Sequence, residues 1–502
     1  MKKNYIKSLL NSLLLISMLN INAQCLTDAE FSKSNPKRDL RGVFLASVYS
    51  LNWPTNRLAT PAVQQAELIT ILDNLKTNGY NTVFLQVRSE CDALYNSTIE
   101  PWGYYLTGTQ GLAPNPLWDP LLFAITEAHK RGLDLHAWLN PYRAKTTSAY
   151  ATSPNHITVT QPTWWFTSSA DSQKILNPGL PAVKNYIISI VQDIATRYDV
   201  DGIHFDDYFY PNGGMTTNQD AQTYIDNNPN NIGTIADWRR DNVNQMIAGT
   251  YDAILTINTN LNKNIVFGVS PAGIWKSGTP TGTSGNSAYS ALYCDALAWL
   301  NAGKVDYLAP QLYWKITGAQ DYVALSKWWN DQVKTSGKQM YISQAYYKMT
   351  DANNWTATEI QNQFIQNRAA SMDATFGQIA YNYTNIKNNS KTINDVLNSN
   401  QYKYKSFAPP ISGKDAICPN IPENIRFVGS TLMWDTPATA SDGDLPIKYV
   451  IYAFNSPAEA ITNKDDGSKI IDIVVENELV VAQTLIDTKH FVVTSLDKNN
   501  KD

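Results

Sequence analysis

The segment DGIHFDDYFYP, residues 201–211, sets His204, Asp206, Asp207 and Tyr208 within five positions. On a short strand, Ile203 and Phe205 face one side, and His204 and Asp206 the other. A carboxylate at a strand end costs free energy to desolvate unless it has partners or a chemical task. A second carboxylate beside it pushes one of the two toward the protonated form, which is the state general-acid chemistry uses. Glycoside hydrolysis commonly needs a further carboxylate across the scissile bond. The segment QVRSECDALY sets Gln86, Arg88 and Glu90 on one face with Asp92 just beyond, and Arg88 is placed to hold either carboxylate ionised, to bind an anionic substrate group, or to form a structural salt bridge.

Other strand-like segments end in groups suited to a neutral, hydroxyl-rich ligand. LDLHAWLNPYR alternates Leu133, Leu135, Ala137 and Leu139 with His136, Trp138 and Asn140, and continues into Tyr142 and Arg143. Ser270 and Trp275 lie in SPAGIW, and Gln311, Tyr313 and Trp314 in PQLYW. Together with Arg88, His204, Tyr208 and Tyr210 these are the expected substrate contacts. The flat rings are read as sugar-stacking faces, although each one alone is equally suited to core packing.

These residues need a scaffold that gathers strand ends. Short β-branched and aromatic runs at 42–47, 82–88, 134–140, 202–206, 265–270, 307–313, 340–345 and 377–383 alternate with amphipathic stretches. Eight such units predict a (β/α)8 barrel over residues 38–404, with its site at the C-terminal strand ends. No G-x-G-x-x-G follows the first strand, so neither a dinucleotide fold nor a cofactor is expected. Residues 405–421 are rich in Pro and turn formers and read as a linker. Residues 422–502 alternate without a helical stretch and resemble a fibronectin type III β-sandwich, with Trp434 and Tyr449 in its core.

Composition narrows the function further. The 502 residues carry a net charge of −4 with no basic stripe, so nucleic acid is not an expected partner. Lys2, Lys3 and Lys7 precede an apolar run from Leu9 to Ile21, which predicts a cleaved export signal over 1–24. No membrane span is expected in the mature chain, and its destination is the periplasm, the cell envelope or the medium. Cys25 follows the signal, but Gln24 is a poor residue before a lipoprotein cysteine. The four cysteines, Cys25, Cys91, Cys294 and Cys418, indicate neither a disulfide scaffold nor a thiolate metal site. With five histidines and no H-E-x-x-H, no metal is expected at the site.

Taken together, QVRSECDALY, EPWGYYLTGTQG, HAWLNPYR, DGIHFDDYFYP, SPAGIW and PQLYW resemble the glycosyl-hydrolase-like 10 family of bacterial barrel proteins, over about residues 38–400. The resemblance implies a hydrolase of bacterial cell-wall glycan. It places Asp92, Asn140, Arg143, His204, Asp206, Asp207, Gln311 and Trp314 at the family's motif positions, while Ser89 stands where such proteins often have Pro. DGIHFDDY is also similar to the D-G-x-D-x-D-x-E strand of family 18 chitinases, with His204 in place of the first inner Asp and Tyr208 in place of the Glu acid. The sequence leaves open a catalytically silent barrel that binds glycan through the same rings and carboxylates.

Overall fold

The computed structural model describes residues 34–146, 149–211, 214–215 and 218–502. The predicted signal segment, with Cys25, lies outside the described residues. Two compact units result, one of residues 39–403 and one in which residues 34–38 join residues 404–502.

The larger unit is a closed parallel barrel of β1 (Leu40–Leu45), β2 (Thr82–Arg88), β3 (Asp134–Leu139), β4 (Gly202–Phe205), β5 (Val266–Val269), β6 (Tyr307–Leu308), β7 (Gln339–Gln344) and β8 (Thr375–Ala380). Each strand pairs with its successor, and β8 closes on β1 with Leu40 opposite Gly377. One main helix follows each strand: α1 (Pro61–Thr77), α2 (Pro120–Lys130), α3 (Pro181–Arg197), α4 (Ile235–Leu261), α5 (Ala296–Asn301), α6 (Tyr322–Ser336), α7 (Ala357–Asn367) and α8 (Ile393–Ser399). Local chemistry starts several of them. Pro61 and Pro181 open α1 and α3, and Asp119 caps α2 by accepting from the amides of Leu121 and Leu122. Thr356 accepts the Glu359 amide at the start of α7.

Outward residues such as Leu135, Ala137, Leu139, Ile203 and Phe205 pack into the core between strands and helices. Inside the barrel the filling is aromatic and polar. Phe44, Phe84, His136, His204 and Tyr307 form one continuous group of rings, with Phe84 4.7 Å from His136 and 5.0 Å from His204. Gly202 and Gly268 leave the space this requires. A Cβ at Gly202 would lie 2.5 Å from the His136 ring, and one at Gly268 2.0 Å from the Tyr307 ring.

The smaller unit has two antiparallel three-stranded sheets. Numbering continues with β9 (Glu423–Val428), β10 (Thr431–Asp435), β11 (Lys448–Phe454), β12 (Ile470–Val474), β13 (Glu478–Val480) and β14 (His490–Leu496). Their orders are β9-β10-β13 and β12-β11-β14. Trp434 and Tyr449 are buried, with ring centroids 5.2 Å apart. Short helices at Pro457–Thr462 and Gln483–Ile486 correct the expectation of strands alone. Cys418 is disulfide-bonded, while Cys91 and Cys294 are free thiols, so one covalent staple exists where composition indicated no disulfide framework.

Candidate active site

Period-2 alternation carries His136 and Trp138 on β3 and His204 on β4 into the barrel, and Asn140 and Asp206 follow at the strands' C-terminal ends. Beneath them, the Tyr307 hydroxyl meets Nδ1 of His136 at 2.9 Å and Nδ1 of His204 at 3.0 Å. Nε2 of His204 meets the Ser270 hydroxyl at 2.8 Å. Burial pushes both imidazoles down, His136 to about 4, so they are neutral at physiological pH. With Nδ1 of His136 and both nitrogens of His204 engaged in this way, His136, His204 and Ser270 form the floor of the site.

A relay of amides orients the central carboxylate. Gln86 Oε1 accepts from the backbone N–H groups of Ser47 and Val48, both at 3.0 Å, which turns its NH2 toward Asn140 Oδ1, 2.5 Å away. That oxygen also accepts from the Arg143 guanidinium at 2.8 Å, so the Asn140 NH2 is left to donate to Asp206 Oδ2. The Trp138 indole donates to the same oxygen at 3.4 Å, and the Tyr208 amide to Asp206 Oδ1 at 3.4 Å. Gln86→Met removes the group that fixes the Asn140 amide, a loss of about 1–3 kcal/mol. The expected result is a fall in kcat of about 5- to 150-fold with KM little changed, measured by steady-state kinetics.

Asp207 sits beside this pair, partly exposed, and accepts from Gln311 Nε2 at 3.0 Å. Gln311 is held in turn by the Ser270 carbonyl at 3.1 Å. Burial raises both carboxyls, Asp206 to about 7. At Asp206 the Arg143 charge opposes the rise, and the Asp207 charge adds to it. The pair therefore retains a proton to a higher pH than ordinary aspartates do. Arg143 lies under the exposed Tyr208 ring, 5.3 Å from its centroid. Tyr313 and Trp314 line the neighbouring rim, half-buried, with Trp314 packed against Gly273, where no Cβ would fit.

Other expected site residues are used elsewhere. The β2–β3 register shifts between Gln86 and Arg88, which takes Arg88 off the inward face. Its guanidinium pairs with Glu100 at 2.7 Å and donates to the carbonyls of Asn140 and Pro141, so the structural salt bridge is the reading that holds. Tyr142 and Tyr210 are fully buried, against Phe209 and against Phe166 and Tyr293, and neither ring is open to a sugar. Trp275 donates to Asp295 at 3.1 Å and stacks on Trp328, apart from the carboxylate pair.

Glu90 and Asp92 organise the loops that follow β2 and β3. Asp92 accepts from the Tyr104 amide and Gln110, both at 3.0 Å. Glu90 accepts from the Thr146 backbone and hydroxyl and from the Tyr150 hydroxyl. Both side chains are fully buried, and burial holds both carboxyls above the usual range, helped at Glu90 by the Asp92 charge. Asp92→Asn is expected to lower stability by about 1–3 kcal/mol and to change kcat less than about tenfold. A collapse of kcat with unchanged melting would instead return Asp92 to the chemistry.

Three contributors were not singled out from the sequence. Gln86 was placed on the correct face but given no task, and Tyr307 joins the two histidines from a strand of only two residues. Tyr381, just beyond β8, stacks on Tyr313 at 6.0 Å, and Arg143, Asp206 and Asp207 all act on its hydroxyl.

A (β/α)8 barrel with paired, proton-retaining carboxylates among amides and rings at its C-terminal mouth has the make-up of a glycoside hydrolase. The chain matches the "Glycosyl hydrolase-like 10" model over residues 39–361. It is 34% identical over 399 residues to the glycosyl hydrolase YngK of Bacillus subtilis (strain 168), covering 77% of this chain and 76% of that one. It is 40% identical over 332 residues to the glycosyl hydrolase DigH of Escherichia coli (strain K12), covering 62% and 74%. The chain belongs to the glycosyl hydrolase-like 10 family. Among solved structures, the PgaB (BpsB) glycoside hydrolase domain from Bordetella bronchiseptica gives a TM-score of 0.48 at 14% identity, covering 72% of this chain and 98% of that one.

Proposed function

We propose that this protein is an exported hydrolase of bacterial cell-wall glycan and that Asp206 and Asp207 carry the reaction. The observation that carries the reading is the environment of this pair. Asp206 receives donors from Asn140, Trp138 and the Tyr208 backbone, which favour its charged form. It acts as the nucleophile or polarising carboxylate. Asp207 has the single Gln311 donor and partial exposure, and it delivers the proton to the leaving oxygen. Tyr208, Tyr313, Trp314 and Tyr381 offer ring faces to sugar, while Asn140, Arg143 and Gln311 hold the carboxylates in place. Export is supported by the signal-like first 24 residues and by the disulfide at Cys418, since disulfides persist in oxidising compartments. Among the described residues no helix is long and apolar enough to cross a membrane. The C-terminal unit fits a fibronectin type III-like docking module.

The test of substrate class is product analysis by mass spectrometry after the mature protein meets intact peptidoglycan, peptidoglycan stripped of its peptides, and chitin. Shortened N-acetylated oligosaccharides from either peptidoglycan support the proposal. Products from chitin alone would move the substrate outside the wall. Binding without any product would make the barrel a glycan-binding module.

A further inference from the structure

We propose that Tyr49, with Arg57 beside it, forms an outer subsite for the glycan strand, where the Tyr49 ring stacks on a pyranose beyond the two sugars flanking the cleaved bond. The subsite rests on the proposed wall-glycan activity and extends its substrate path along one arc of the barrel mouth.

Tyr49 stands just beyond β1, at the same end of the barrel as Asp206. It is 61% exposed, against 36% for Tyr208, so it is the more open of the two rings. Its backbone is left-handed, at φ 60°, and so is that of Ser50, at φ 51°. A bulky residue rarely adopts that conformation, and it persists only where the surroundings fix it. Here they do. Gln86 accepts from the amides of Ser47 and Val48 on one side of the turn. On the other, Asn52 accepts the Ala46 amide at 2.9 Å and donates to the Thr384 hydroxyl at 2.9 Å. The strained turn thus displays a ring that adds little to the core. Its one ring partner among the described residues is Tyr105, edge-on at 5.9 Å.

The EPWGYYLTGTQG segment, which the carboxylate chemistry leaves without a task, builds the wall behind this ring. Tyr104 and Tyr150 stack at 3.8 Å, and Tyr105 meets them edge-on at 5.1 Å and 6.4 Å. Lys145 lies over Tyr150 at 4.3 Å and Arg57 over Tyr104 at 5.0 Å, so these two rings are engaged within the wall and Tyr49 is left open. Arg57 makes no hydrogen bond or ion pair among the described residues, which leaves its guanidinium donors for a ligand. A flat ring beside free donors suits a sugar, whose C–H face is apolar and whose edge carries hydroxyls. The place is continuous with the carboxylate pair. Val48 binds Gln86, Gln86 holds Asn140 and Asn140 holds Asp206, so one hydrogen-bonded arc over β1 to β4 joins the Tyr49 turn to the chemistry.

The experiment compares kcat/KM of the mature parent, Tyr49→Ala, Tyr49→Gly and Tyr49→Phe on peptide-stripped peptidoglycan strands sorted by length. One set is the shortest strands the parent cuts, and the other is several repeats longer. The expected result is a long-to-short ratio of kcat/KM that falls at least about fivefold in Tyr49→Ala and Tyr49→Gly, the scale of one lost ring contact, and is retained in Tyr49→Phe. Glycine takes the left-handed backbone without strain, so agreement between the Ala and Gly variants assigns the loss to the ring. A ratio unchanged in Tyr49→Ala, or Tyr49→Phe as impaired as Tyr49→Ala, overturns the subsite and leaves the hydrolase standing. A parent that cuts neither set overturns the wall-glycan activity itself, and the subsite with it.

Discussion

Asp206→Asn is expected to be more stable than the parent at pH 8 while losing nearly all turnover. The carboxyl is 5% exposed, and burial moves it from 3.8 to about 7. That interval corresponds to a penalty of roughly 4 kcal/mol on the ionised form. The sign follows from linkage. A carboxyl raised in the folded state contributes stability below its unfolded value of 3.8, and that contribution is lost as pH rises through about 7. Asparagine has no proton to lose, so its advantage is absent near pH 3, grows between pH 4 and 7, and levels off above, at about 1–3 kcal/mol once some relaxation is allowed for. Denaturant unfolding at pH 4 and pH 8 measures it. Equal stability changes at the two pH values would mean that Asp206 is not strained by its burial.

Arg88→Met is expected to show the opposite pattern, a large loss of stability with little effect on substrate affinity. Arg88 and Glu100 are both fully buried and pair at 2.7 Å, and Tyr186 adds its hydroxyl to Glu100 at 2.6 Å. Removing the guanidinium leaves a buried carboxylate without its partner, at a cost of about 3–5 kcal/mol. Arg88→Met combined with Glu100→Met should recover most of that loss, because an apolar pair of similar volume removes both desolvation penalties. Thermal unfolding of the three variants, with KM measured below the transition, gives the answer. A raised KM with unchanged melting would place Arg88 against substrate after all.

These two residues show where the sequence was readable. In β3 and β4 the alternation is strict, and so His136, Trp138, His204 and Asp206 could be assigned inward and Ile203 and Phe205 outward from spacing alone. The same rule applied to β2 failed one residue too late. The irregularity between Gln86 and Arg88 shifts the register, and nothing in QVRSEC announces it. Glu90 and Asp92 were selected as carboxylates beyond a strand end, but their donors come from Tyr104, Gln110, Thr146 and Tyr150, which no local pattern connects to them. Tyr142 and Tyr210 were read as substrate contacts because aromatic residues beside polar ones suit sugar. Their burial depends on Phe209, Phe166 and Tyr293, contacts settled only in the folded chain. The eight βα units were legible because each strand and helix carries its own period and several helices carry their own caps.

The most direct test of the central claim is the release of reducing ends from peptide-stripped cell-wall glycan by the mature protein, by Asp206→Asn and by Asp207→Asn. Release by the parent that falls at least about a thousandfold in Asp206→Asn, roughly 4 kcal/mol of transition-state stabilisation, and substantially in Asp207→Asn, is the predicted result. A folded parent that binds the glycan but releases nothing, or variants as active as the parent, would contradict it.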